Sequence, residues 1–141
     1  MDEPTFAMRQ EAVVRVLCGL RDPQERLAWV VERARGRAGF PAERRTEDRL
    51  VKGCAARLWM DAEVRDGRCW FRCDSDSAIL KAAAGLLCEL YDGLPAGEVV
   101  CGEPEFWVAT GLAGQFTENR RATIRRVRGV IRDFAEGAGR G

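Results

Sequence analysis

The sequence predicts an α+β domain in which a small antiparallel sheet packs against several helices. Three observations carry that expectation. Two alternating runs lie on either side of Asp66-Gly67, a two-residue hairpin signal because these residues tolerate the positive φ that the turn requires. The run from Ile79 to Leu90 is apolar nearly all round, as a central buried helix must be. Apolar residues recur at three and four residues both before these elements (Val13, Val14, Leu17) and after them (Ile124, Val127, Ile131, Phe134).

Composition narrows the class of function. A chain of 141 residues, 46% apolar and 32% charged, suits one domain over residues 1–141 with a core of its own. Its 23 basic and 22 acidic residues leave a net charge of +1, so no overall field draws nucleic acid or a membrane surface. No apolar run is long enough to span a bilayer, and the start Met1-Asp2-Glu3-Pro4 has no signal-peptide character. These features predict a cytoplasmic, reducing location in which the six cysteines, at 18, 54, 69, 73, 88 and 101, are thiols. With no Cys-x-x-Cys pair and no histidine, no metal site is expected, and Cys-His and Ser-His-Asp catalysis are excluded.

In chain order, Arg9 to Leu20 reads as a first helix with Cys18 continuing its apolar face. Asp22-Pro23 supplies the N-cap and first position of a second helix, with Leu27, Val30, Val31 and Ala34 inward and Gly36 and Gly39 ending it. Phe40-Pro41 to Leu50 is charged and aperiodic, a loop that delivers the next segment to the surface. That segment is Val51-Lys52-Gly53-Cys54-Ala55-Ala56-Arg57-Leu58-Trp59. Cys54 follows a glycine and has Lys52 and Arg57 close by in sequence; a nearby cation favours the thiolate, which is the nucleophilic form. Burial of the sulfur acts the other way, and Cys54 as one more small buried hydrophobe stands beside the reactive reading.

The turn sets the hairpin register: Arg65 opposite Arg68, Val64 opposite Cys69, Ala62 opposite Phe71 and Met60 opposite Cys73, with this face on the core. The other face, with Asp61 opposite Arg72 and Trp59 opposite Asp74, is more polar. Cys69 and Cys73 are core residues in this register, and their separation along one strand, about 13 Å, forbids a disulfide between them. Asp74-Ser75-Asp76-Ser77 can cap the Ile79 helix, in which Cys88 packs. Pro95 and Pro104 are expected to open two short helices, the second holding Phe106 and Trp107 and ending at Gly111, with Cys101 between them. The last helix starts after Thr117 and runs to about Phe134. Arg121, Arg125, Arg128 and Arg132 form a solvated stripe, whereas Arg120 heads the apolar stripe and points inward. There it either pairs with an acid such as Asp74 or Asp76, as a capping residue, or serves the Cys54 loop.

Four blocks in this order resemble the SufE family, including its CsdE branch: Asp22 to Val31 (DPQERLAWVV), Val51 to Met60 (VKGCAARLWM), Asp74 to Gly93 (DSDSAILKAAAGLLCELYDG) and Phe116 to Arg120 (FTENR). Phe40-Pro41 is similar to the family's Leu-Pro before the loop. The resemblance runs over roughly residues 10 to 135 and implies a SufE/IscU-like fold. It implies that the chain is a sulfur acceptor of iron-sulfur cluster assembly, not itself an enzyme. Cys54 would take persulfide sulfur from a SufS- or CsdA-like cysteine desulfurase and pass it to a scaffold, with Arg120 as the family's functional arginine. Lys52, Gly53, Arg57, Asp74 and Asp76 would support the loop or the partner contact. No cofactor is expected on this chain; the pyridoxal phosphate belongs to the desulfurase. Three positions depart from the family pattern: Ala56 in place of Ser, Ala122-Thr123 in place of a polar-Gly pair, and Cys73 in place of a small residue. A non-covalent adaptor and a thiol redox sensor using Cys54 with a second cysteine are the competing readings.

Overall fold

Local chemistry sets where each element starts. The computed structural model describes residues 4–140, so the acidic start at Met1 to Glu3 lies outside the described residues. Helix α1 spans Phe6–Cys18, begun by Thr5, whose hydroxyl accepts the Met8 N–H. It starts three residues earlier than the periodicity predicts because Phe6 is buried, stacked on Tyr91 with ring centroids 4.6 Å apart. Helix α2 is Pro23–Arg35, capped by Asp22 and ended at Gly36 as expected. Cys18 corrects the first reading: it is exposed at the end of α1, its thiol reaching the Ala109 carbonyl at 3.7 Å.

The hairpin forms as the turn dictates. Strand β1 (Leu58–Arg65) pairs antiparallel with β2 (Arg68–Ser75) in the expected register throughout, and Asp66 and Gly67 take φ of 54° and 76°. A short strand β3, Leu94–Pro95, pairs with β2 and makes it the centre of a three-stranded sheet. Pro95 is thus the residue before helix α4 (Ala96–Cys101), not its first position. Helix α3 (Ala78–Tyr91) is capped by the Ser77 hydroxyl and buried over most of its surface, from Leu80 to Tyr91.

After α4, helix α5 (Phe106–Ala109) buries Phe106 and Trp107 and a 3-10 turn covers Leu112–Gln115. Helix α6 runs Glu118–Arg140, beyond the expected end, with Ile124, Val127, Ile131 and Ala135 buried. Phe71 meets Phe134 of α6 while Cys73, two residues on and so on the same face of β2, meets Cys88 of α3; both helices therefore pack on one face of the sheet. Val64, at the hairpin tip, escapes that cover and is exposed.

The opposite face is less polar than the pattern suggests. The charged loop folds over its open end: Phe40 is buried, 3-10 turns form at Ala42–Arg44 and Glu47–Arg49, and Trp59 and Asp74 are covered to 4% and 1% exposure. Asp61 stays opposite Arg72 in register but forms its ion pairs with Arg44 and Arg49 of this loop. Arg128 is a second correction. It leaves the solvated stripe to lie buried over Tyr91, its Nη2 donating to the Val100 and Gly102 carbonyls at 3.1 and 2.9 Å.

Candidate functional site

Residues 52–57 leave and re-enter the fold at one point. Leu50 bridges Trp59, and the Val51 N–H donates to the Leu58 carbonyl at 2.8 Å, so Lys52 to Arg57 form a closed loop at the foot of β1. The exit is anchored twice more. The Arg57 carbonyl accepts from the Ser75 hydroxyl at 2.6 Å and from the Asp76 N–H at 3.2 Å. Gly53 turns the entry with φ of 86°, a conformation that glycine adopts without steric cost. Cys54 sits between these two anchors, half-buried, with its side chain against the core.

The cations expected around Cys54 are distributed differently from their sequence spacing. Lys52 is exposed. Arg57 turns away to Asp76, its Nε donating to the carboxylate at 2.8 Å, and it stacks with Arg45 on Trp59, the two guanidiniums 5.5 and 5.1 Å from the ring centroid. The guanidinium lying against the loop is Arg126: a Cβ added to Gly53 would meet its Nη1 at 2.7 Å. Helical periodicity gave no signal for Arg126, because its role depends on how α6 docks beside the loop.

Arg120 is half-buried in the first turn of α6, its N–H held by the Thr117 hydroxyl. It does not form the expected pair with Asp74 or Asp76. Asp74 is filled by other donors: the N–H groups of Phe40 and Ser75 at 2.7 and 2.9 Å, Arg45 at 2.8 Å and Lys81 at 3.5 Å. Burial alone would raise the pKa of this carboxyl, but these donors together outweigh burial and hold it below the ordinary value. Asp76 is taken by Arg57 and, at 4.0 Å, by Arg45. Arg121 is only partly solvated, since its Nη1 donates to the Ala113 and Phe116 carbonyls at 3.0 and 2.6 Å.

The remaining thiols fall into two kinds. Cys18 and Cys101 are exposed at helix ends, whereas Cys69, Cys73 and Cys88 line the sheet-helix interface. Cys73 and Cys88 meet across it, a contact that strand alternation and helix period each allow but neither shows. Among the described residues, no group of three or more cysteine or acidic side chains is placed to hold a metal ion.

Fold and loop together define an α+β domain that carries a thiol on a small closed loop beside the sheet. A model of the SufE family, described as an Fe-S metabolism associated domain, matches residues 11–135, and the chain belongs to that family. Chloroplastic quinolinate synthase of Arabidopsis thaliana is 35% identical over 91 residues, 64% of this chain and 13% of that protein. An uncharacterized SufE-like protein of Synechocystis is 34% identical over 70 residues, half of this chain and 44% of its own. A SufE-like protein of Rhizobium etli aligns over 89% of this chain and 91% of its own at 24% identity. The chain thus spans less than half of the first two relatives and nearly all of the third. A solution structure of a hypothetical protein from Thermus thermophilus superposes with a TM-score of 0.78 over 94% of this chain and 97% of that one; at 21% identity it shows the shared fold.

Proposed function

We propose that the protein is a sulfur carrier of iron-sulfur metabolism that accepts persulfide sulfur on Cys54. The observation that carries this reading is the position of Cys54 alone among the cysteines on a closed, glycine-turned loop, in a chain that belongs to the SufE family. In the step proposed, the Cys54 thiolate attacks the outer sulfur of a persulfide on a cysteine desulfurase. The bond between the two donor sulfurs breaks and the desulfurase cysteine leaves as a thiolate. Cys54 then holds the persulfide and a scaffold takes the sulfur from it by the same exchange.

Half-burial against the core suits this task, because a persulfide held in the loop is shielded from other thiols until the partner docks. The loop is also short and pinned at its foot, so in this reading the movement that presents the sulfur to a partner is confined to residues 52–57. The pyridoxal phosphate acts on the desulfurase, and the carrier stimulates that enzyme by removing its product sulfur. A reducing cytoplasm suits the six free thiols, and none of the described helices is long and apolar enough to cross a membrane.

The test is mass spectrometry after incubation with a cysteine desulfurase and cysteine. A carrier gains sulfur on Cys54, an adaptor gains nothing, and a redox sensor responds to peroxide instead. Cys54→Ser is expected to keep the fold and lose sulfur acceptance, while Ser at 18 or 101 leaves acceptance unchanged; wild-type acceptance by Cys54→Ser overturns the proposal. In the same assay Arg120→Ala slows transfer at unchanged stability, since no ion pair is lost. Arg121→Ala leaves the rate alone but lowers stability by about 1 kcal/mol through its two carbonyl contacts.

A further inference from the structure

A cleft between the end of α2, strand β2 and helix α3 holds two thiols away from the Cys54 loop. Cys73 of β2 is half-buried, Cys88 of α3 is buried, and the two thiols are neighbours across the sheet-helix interface. Both line a cavity of about 490 Å³, the size of a small-ligand site. Its walls carry four cations, Arg33, Arg37, Arg72 and Lys81, against two carboxylates, Glu89 and Asp92.

These cations are incompletely neutralised. Glu89 is shared by Arg33 and Arg37, and the Arg37 Nη1 is buried without a hydrogen-bond partner, lying where only a glycine at 85 leaves room for it. Lys81 lies 3.5 Å from Asp74, whose carboxylate is already held by Arg45 at 2.8 Å. Arg72 rests 6.0 Å from the Phe40 ring centroid and has no ion pair among the described residues. A concave site with surplus positive charge concentrates small anions.

We propose that Cys73 and Cys88 form a second thiol site that draws small carboxylate-bearing disulfides into this cationic cavity and exchanges with them. Cys73, the more exposed of the two, attacks one sulfur of the disulfide as its thiolate. The first ligand thiolate leaves and takes a proton from water. Cys88 then attacks the Cys73 sulfur, and the second ligand thiolate departs with the Cys88 proton. The ligand disulfide is reduced to two thiols while Cys73 and Cys88 are oxidised to one disulfide linking β2 to α3. The order of attack fits the protonation of the pair. Its closeness to Cys73 and then its burial push the Cys88 thiol well up, so that sulfur holds its proton until the second step.

The test uses the full chain carrying Cys54→Ser, treated with dithiodiglycolate (anionic), hydroxyethyl disulfide (neutral) or cystamine (cationic). Each rate is divided by that reagent's rate with free mercaptoethanol, which removes intrinsic reactivity. The expected product has lost two hydrogens and yields a peptide in which Cys73 is linked to Cys88. The normalised rate is at least about tenfold higher for dithiodiglycolate than for cystamine. Arg72→Ala narrows that ratio severalfold, and Cys88→Ala stops at a mixed disulfide on Cys73. Mixed disulfides confined to the exposed Cys18 and Cys101, with no Cys73 to Cys88 link, overturn the site. Equal normalised rates for the anionic and cationic reagents overturn its ligand class.

Discussion

Gly53 and Gly67 both hold positive φ, 86° and 76°, but their surroundings differ. A Cβ at 67 would meet nothing within 4 Å, whereas one at 53 would press on the Arg126 guanidinium. Gly67→Ala therefore reports the backbone cost alone, expected at about 1 kcal/mol. Gly53→Ala carries the same cost plus the displacement of Arg126, and the excess is expected to vanish when Arg126→Ala is present. Urea unfolding of the double-mutant cycle measures this; full additivity would show that Arg126 does not rest on the loop.

At the scale of elements, α6 is held by residues that its amphipathic pattern assigns to water. Arg128 reaches across to the two carbonyls at the end of α4 and covers Tyr91, whose hydroxyl donates to the same Gly102 carbonyl at 2.6 Å. Its neighbour in the stripe, Arg132, is 48% exposed and pairs loosely with Glu103 and Glu136 at 3.8 and 3.6 Å. Arg128→Ala should cost about 1 to 3 kcal/mol, since the half-buried Val100 carbonyl loses this donor, the Gly102 carbonyl is left with the Tyr91 hydroxyl and the cover over Tyr91 is removed, and Arg132→Ala less than about 1 kcal/mol. Thermal unfolding of the two variants separates them, and similar losses would contradict the burial of Arg128.

For the whole molecule, Asp74 ties the distant charged loop, through Phe40 and Arg45, to the junction of β2 and α3, where it also meets Lys81. Because its folded pKa lies below the ordinary value of 3.8, its contribution is complete above that pH and is lost as pH falls through the folded value. Acid titration of the unfolding free energy should show this loss below about pH 4, and Asp74→Asn should flatten it. At neutral pH the same variant is expected to cost about 2 to 4 kcal/mol, because a buried cluster of donors loses its charge partner. An unchanged acid limb in Asp74→Asn would assign that limb to other carboxylates.

The sequence by itself determined what short-range chemistry controls. Asp66-Gly67 imposed a two-residue turn, and with strand alternation that turn settled every pair from Leu58–Ser75 to Arg65–Arg68. Asp22-Pro23, Ser77 and Thr117 marked helix starts because a short oxygen acceptor next to free amides acts locally. Cys54 was legible as the loop thiol for the same reason: glycine before it and a strand after it are near neighbours. Only the tertiary structure decided which side chains meet across elements. Arg57 belongs to Asp76 and not to Cys54, Arg126 and not a nearer cation covers Gly53, Arg128 is buried while Cys18 is exposed, and Cys73 faces Cys88. Periodicity gives the face on which a side chain lies, but long arginines reach several ångströms beyond it. Their partners follow from how helices and loop dock on the sheet, which no local pattern encodes.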